Sequence, residues 1–304
     1  MTSRGVEKQR KARVVGLGLC VMDHLYLVQG DAPGEERVRY VARQVAPGGM
    51  IATALAQAAR LGADAHVLSL VGDDAEGRAV GRRLRALGVR TRHLLRSREL
   101  PTTVAVVIVD RDSGARRFVV PDRRGLERRA PAFDLSPIRA GAALLVDGHF
   151  PAQARRAVRR AREVGARVVA DFHRPSPAVL ALLPCVDYAV VPREFAQLWN
   201  GGRVADTLLR LRREFGATPV ITLGAKGVVW LEGRRVRRLP ARRVRVLDST
   251  GAGDAFHGAF AAGIAQGLSL ERTIERANRC GAEACTVLGG MGHLLGREGR
   301  QLRL

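Results

Sequence analysis

The chain has 304 residues, with 51 Lys and Arg against 29 Asp and Glu, a formal charge of +22 and 4% aromatic residues. That length buries a sizeable core in one or two domains, and single α/β domains of this size are common. The charge invites a nucleic-acid reading, but the only lysines are Lys8, Lys11 and Lys226, the arginines are scattered over every predicted helix, and there are too few aromatics for a stacking surface. A genome-wide arginine bias explains the charge more simply, and no specific nucleic-acid partner is expected. No apolar run approaches the roughly 20 residues of a membrane span, and the polar start MTSRGVEKQRKAR has no apolar signal-peptide core behind it. A soluble cytoplasmic protein without membrane partners is expected. Cys20, Cys185, Cys280 and Cys285 form no CxxC pair and the histidines no HExxH, so neither a zinc site nor a disulfide is expected.

In chain order, RVVGLGL from Arg13 to Leu19 reads as a buried strand that LCVMDHLYLV continues to Val28. Asp23 interrupts this apolar run, where an unpaired carboxylate is costly unless solvated or bound to a ligand's hydroxyls. The alternation of Val38, Tyr40, Val41 and Val45 among arginines over Arg37–Val45 predicts an exposed strand, and Thr102–Asp110 with Arg116–Val120, joined by a turn at Asp112-Ser113-Gly114, predicts two more. Gly48 and Gly49 precede an apolar helix from Met50 to Leu61, carrying Thr53. After a strand at Val67–Val71, Asp73 and Asp74 open a helix near Ala75 as caps, and Gly88 ends it. The Arg-rich run Arg123–Arg129 reads as an exposed loop. Strands at Ala142–Val146, Arg167–Ala170 and Tyr188–Val191 then alternate with helical patterns, the rhythm of βαβ units on a parallel sheet. Ligands gather at the C-terminal ends of such strands, where Asp147, Asp171 and Glu194 lie. Val220–Leu223 and Val228–Leu231 flank the glycine turn Gly224-Ala225-Lys226-Gly227 as a hairpin, and Leu270–Val287 is a helix containing Asn278.

The chain is organised around VLDSTGAGDAFHGAF, from Val246 to Phe260. It reads as a strand end, a turn through Gly251-Ala252-Gly253 and a helix starting near Gly253. Free amides at a helix start favour an anion. Asp254 in that first turn can cap the helix, or its carboxylate can take a proton from an attacking hydroxyl while the glycine amides hold a developing anion. Capping alone does not require two flanking glycines, and a hydroxyl, an anion and a positioned base together describe phosphoryl transfer.

DSTGAGDAF resembles the C-terminal signature of the PfkB/ribokinase family of carbohydrate kinases. Gly48-Gly49 before a helix, LGADAHVLSLVGDDAEGRAVGRRLRALGVRT from Leu61 to Thr91, TLGAKG from Thr222 to Gly227 and Ala277-Asn278 agree with that family in order and spacing, so the resemblance runs from about Arg13 to about Gly292. It implies a ribokinase-like α/β/α sandwich over the whole chain, with a small β-sheet lid from about residues 37–46 and 100–120 that also pairs a homodimer. It implies ATP and Mg²⁺ as cofactors. Asp254 would be the base, with Gly251, Ala252 and Gly253 at the transferring phosphoryl group. Asp23, Gly48, Gly49 and Thr53 would hold the sugar, Thr53 standing where relatives carry Asn. Thr222, Gly224, Lys226, Gly227 and Asn278 would border the nucleotide. Glu194 would position Mg²⁺ through water, with Val191 replacing the Asn of the family's NxxE, and Asp248 with Thr250 match residues around a monovalent cation, K⁺, in some relatives. The activity implied is ATP-dependent phosphorylation of a primary hydroxyl on a ketose, ribose-like sugar or derivative. Alternatives are a sulfofructose substrate, although Asp147-Gly148-His149 stands where an arginine for its sulfonate would be sought, a sugar phosphate met by Arg43, Arg92 or Arg117, a nucleoside kinase, and a catalytically weak sugar-sensing homologue.

Overall fold

The computed structural model describes residues 11–29, 38–112, 116–122 and 124–294. Arg37, the turn residues Ser113 and Gly114, Arg123 and most of the polar N-terminus therefore lie outside the described residues. Among those described, a nine-stranded sheet runs β13-β12-β11-β10-β9-β8-β1-β4-β5. Its parallel body consists of β1 (Arg13–Leu17), β4 (Asp64–Gly72), β5 (Leu94–Ser97), β8 (Ala143–Val146), β9 (Arg167–Asp171), β10 (Tyr188–Pro192) and β11 (Thr218–Thr222). An antiparallel pair, β12 (Val228–Glu232) and β13 (Arg235–Leu239), extends one edge, as the hairpin pattern around Gly224–Gly227 predicts. The four-stranded sheet β3-β2-β6-β7 is built from β2 (Val21–Val28), β3 (Tyr40–Gly48), β6 (Val104–Asp110) and β7 (Arg116–Val119).

Both faces of the large sheet are covered, which is why its strands read as continuous apolar runs. On one face α1 (Met50–Arg60), α2 (Ala75–Ala86), α8 (Ala252–Ala265) and α9 (Leu270–Ala284) pack with Val14, Val67, Leu145, Val169 and Val190. On the other, α4 (Pro151–Val164), α5 (Pro177–Leu180), α6 (Arg193–Asn200) and α7 (Val204–Phe215) pack with Val15, Leu144, Val168 and Ile221. Here α8 is apolar nearly all round, because it lies between α1, α9 and the sheet. The small sheet has its own core of Leu25, Leu27, Ala42, Val107 and Val109, closed by Leu288.

Four expectations need correction. The strand from Arg13 does not continue to Val28: Leu19 N donates to Asp147 Oδ2 at 2.7 Å and Gly18 has φ 154°, so the chain leaves the large sheet at Leu17 and enters the small one at Val21. Arg124–Arg129 is a short helix, α3, rather than a loop; its arginines, Leu and Glu are good helix formers. No strand precedes the central glycine turn. Leu247 N and Asp248 N both donate to Cys285 O, so this segment's backbone bonds go to the end of α9 instead of a sheet neighbour. α9 itself stops at Ala284, where Cys285 and Thr286 turn back onto Ala282 O and Glu283 O. Asp74 does cap α2, accepting from Gly77 N at 2.8 Å.

Candidate active site

The C-terminal ends of β8, β9 and β10, the start of α8 and the inner face of the small sheet converge on one region. Gly251 N-caps α8 with φ 76°, and a Cβ there would stand 2.5 Å from Gly290 Cα, so only glycine lets the turn approach the loop after α9. At the start of α8, Ala252 N turns back onto Ser249 O at 3.3 Å, while α-helical geometry gives the Gly253 and Asp254 amides no carbonyl partner within the helix. Gly253 is exposed and Asp254 half-buried beside it. Burial first, and then the charge of Asp171, push the Asp254 carboxyl up to about 8.

Asp23 lies on β2, opposite Ala46 of β3, and a Cβ on Gly48 would collide with its carboxylate. Burial first and Asp248 second push Asp23 up to about 7. Gly49 N-caps α1 at φ 96°; a Cβ would meet Leu19 O at 2.7 Å. Thr53 is buried in the first turn of α1, its hydroxyl beside Gly290. A pocket between the small sheet and the loop after α9 is lined by Asp23, Gln44, Thr250, Gly289, Gly290 and Arg83, so Asp23 and Thr250 share one cavity with the Gly290 that packs on Thr53 and Gly251. Arg43, Arg92 and Arg117 do not line it; Arg43 instead lies over the Tyr26 ring at 5.8 Å.

Asp248 and Thr250 are engaged with each other. Asp248 Oδ1 accepts from Thr250 N at 2.8 Å and Thr250 Oγ1 at 2.6 Å, while Oδ2 accepts from Gly289 N at 2.9 Å. The remaining predicted residues sit further along the sheet. Glu194 is exposed in the first turn of α6, directly after β10. Thr222 ends β11 opposite Val228, and Gly224 and Gly227 bound a 3₁₀ turn that carries exposed Lys226. Gly227, at φ 90°, is required by β13, since its Cβ would collide with Leu239 O. Asn278 Nδ2 donates to Pro240 O at 2.8 Å, tying α9 to the segment after β13.

The sequence reading placed Asp171 only at a strand end and gave His173 and His257 no part. The structure brings all three to Asp254, and the nearest ligand atoms of Asp171, His173 and Asp254 lie within 4.8 Å of one another. Asp171 is fully buried; His257 Nδ1 stands 3.3 Å from its Oδ2 and His173 Nε2 3.5 Å from its Oδ1. His257 Nδ1 also faces Gly253 O at 2.7 Å and Nε2 faces Val190 O at 3.1 Å, so the ring clamps the start of α8 to β10. Burial alone would raise Asp171, but the charge of His257 and contact with His173 outweigh it and hold this carboxyl low. Two signals in the sequence mark the cluster: His257 falls one helical turn after Asp254, and Asp171 ends a strand of the parallel sheet.

An acidic group raised towards neutrality at a helix start, with the carboxylates of Asp171 and Asp23 acting on it, suits deprotonation of a hydroxyl next to an anion. Comparisons with known proteins identify the family. Residues 11–294 match the model of the family described as pfkB family carbohydrate kinase. The chain is 27% identical over 283 residues to ribokinase of Bacillus subtilis, covering 91% of this chain and 94% of that one. It is 30% identical over 269 residues to a fructokinase of Escherichia coli, covering 81% and 87%. The solved Arabidopsis thaliana ribokinase complexed with ribose and ATP superposes with a TM-score of 0.77 at 20% identity, covering 95% of this chain and 97% of that one. The fold is therefore ribokinase-like, and the chain belongs to the pfkB family of ATP-dependent carbohydrate kinases.

Proposed function

We propose that this kinase transfers the γ-phosphate of ATP to a primary hydroxyl of a ketose, a ribose-like sugar or a derivative of one, with Asp254 as general base. The observation that carries this reading is Asp254 itself, raised to about 8 at the start of α8 beside the glycine turn. As the acceptor oxygen attacks in line, its proton passes to Asp254, and the amides from Gly251 to Asp254 hold the phosphoryl oxygens. Asp23, Gly48, Gly49 and Thr53 orient the sugar. The raised Asp23 carboxyl suits this role, because a neutral acid donates and accepts hydrogen bonds with hydroxyls alike.

Thr222, Gly224, Lys226, Gly227 and Asn278 border the nucleotide in this reading, and Glu194 positions Mg²⁺ on its phosphates through water. The ion offsets charge on the ATP oxygens. Asp248 and Thr250 support a K⁺ site through the backbone they brace, since the Asp248 side chain is spent on Thr250 and Gly289 and the Thr250 hydroxyl on Asp248. The chain works as one kinase unit in the cytoplasm, with the four-stranded sheet as lid. The lid's outer side exposes Tyr40, Val41, Val45 and Val119, the kind of apolar face a homodimer covers.

One observation favours a second acceptor class. Arg83 of α2 lines the pocket, and no side-chain partner from the described residues meets its guanidinium, so a sugar carrying a phosphate or sulfonate would find a bidentate cation there. ADP release from Mg·ATP over a panel of free ketoses, pentoses, nucleosides, sugar phosphates and sulfofructose separates these readings. Turnover of a free ketose or pentose supports the first; turnover confined to anionic sugars selects the second; turnover of nucleosides alone contradicts both.

A further inference from the structure

The cluster behind the base contains more charge chemistry than one general base requires. Asp171 and Asp254 approach within 4.8 Å, and two carboxylates that close in a partly dry site do not both ionise without a nearby cation. The two sides of Asp171 differ. His257 closes the inner side, only 2% exposed, with its ring fixed between Gly253 O and Val190 O. His173 stands on the outer side with 54% of its side chain exposed, following β9 and facing the same space as Asp254. His257 is therefore committed to holding α8 against the sheet, while His173 faces incoming ligands.

We propose that His173 is a positioning residue of the phosphoryl transfer: its imidazolium, held by Asp171 at the open side of the centre, supplies the positive charge against which Asp254 acts as a carboxylate. This rests on the reading of Asp254 as base. In the step itself the acceptor hydroxyl loses its proton to Asp254, the new O–P bond forms as the bond from γ-phosphorus to the bridging oxygen breaks, and that electron pair leaves on ADP. His173 keeps its proton throughout.

The groups facing His173 and Asp254 are Asp23 on β2, Asp147 after β8 and Asp171 at the end of β9, while His149 after β8 and His257 on α8 act on Asp171. Asp147 is not a free counter-charge. It is buried, accepts from Leu19 N and His149 N, and burial raises it. The His173 ring, drawn up to about 9 by Asp171 first and by Asp254 and Asp147 further, is the group whose charge lowers Asp254.

Two measurements on the full chain test this. In a histidine-ring NMR titration, His173 should change charge near pH 9 and move down towards its ordinary 6.5 in Asp171→Asn. In pH–rate profiles, His173→Gln should shift the acid limb of kcat/KM upward by about one unit, roughly a tenfold loss at pH 7 that recovers at high pH. His173→Lys should restore the limb. Since the protonated ring stabilises the fold, the Tm of His173→Gln should fall below the wild type in acid and rejoin it as pH rises through 9. A ring titrating at 6.5 in the wild type, or a His173→Gln profile unshifted along pH, would overturn the assignment. An elevated ring in a protein whose turnover survives Asp254→Asn would refute Asp254 as base, and this inference with it; an ordinary ring in a protein that needs Asp254 would refute this inference alone.

Discussion

Asp248 holds Gly289: its Oδ2 accepts the Gly289 amide at 2.9 Å, so one buried carboxylate joins the turn before α8 to the loop after α9. Its other oxygen holds Thr250 N and Oγ1. Asp248→Ala would strand three donors, and each buried unpaired polar group costs about 1–3 kcal/mol. Urea unfolding should show a loss on the order of 3 kcal/mol after relaxation and hydration offset part of that sum. Asp248→Asn keeps an acceptor oxygen and should lose less.

The folded protein should lose stability as pH rises from the acid range to mildly basic. Asp254 and Asp23 stand at about 8 and about 7 against 3.8 for an ordinary carboxyl. Over that interval the unfolded chain releases protons that the folded chain still holds, so unfolding is favoured as pH rises. Asp254→Asn removes one such group. Its Tm should match the wild type near pH 3.5, exceed it increasingly up to pH 8, by a few degrees, and stay level beyond.

The glycine turn makes a steric prediction. Gly251→Ala forces a Cβ into the left-handed region and against Gly290 Cα at 2.5 Å. A cost of at least about 1–2 kcal/mol is expected, together with a displaced α8 start. Since small misplacements around reacting atoms are expensive, kcat should fall about a hundredfold while sugar binding, read by thermal shift, persists.

Residues that act through local backbone chemistry were legible in the sequence. The glycines before α1 and α8, the Asp74 cap and the hairpin around Gly224–Gly227 all appear where spacing predicts them, because φ > 0 and capping restrict the residue types allowed. The Asp171–His173–His257 cluster was marked only by Asp171 at a strand end and His257 one turn after Asp254, because Asp171 and His257 meet through β9 and α8, 86 residues apart in the chain. Apolar periodicity also misjudged the segment before α8. Val244, Val246 and Leu247 read like a strand, yet the Leu247 and Asp248 amides are claimed by Cys285 O, a tertiary partner that no local pattern reveals.

The lid offers a prediction about assembly. Val119 is 62% exposed among other apolar residues on the small sheet, at its β7 edge. Light scattering behind size exclusion should give a dimer mass for the wild type and a monomer mass for Val119→Asp, with the far-UV spectrum unchanged. A wild-type monomer at micromolar concentration would remove the lid from the assembly.

The most direct test of the account is turnover of the best acceptor by Asp254→Asn. The substitution keeps the size of the side chain and removes its capacity to accept a proton. Loss of a positioned base predicts a fall in kcat of about 10²–10⁴-fold with nearly unchanged KM for the sugar and for Mg·ATP. Turnover within a few-fold of the wild type would contradict Asp254 as the base and leave the glycine turn as an anion site alone.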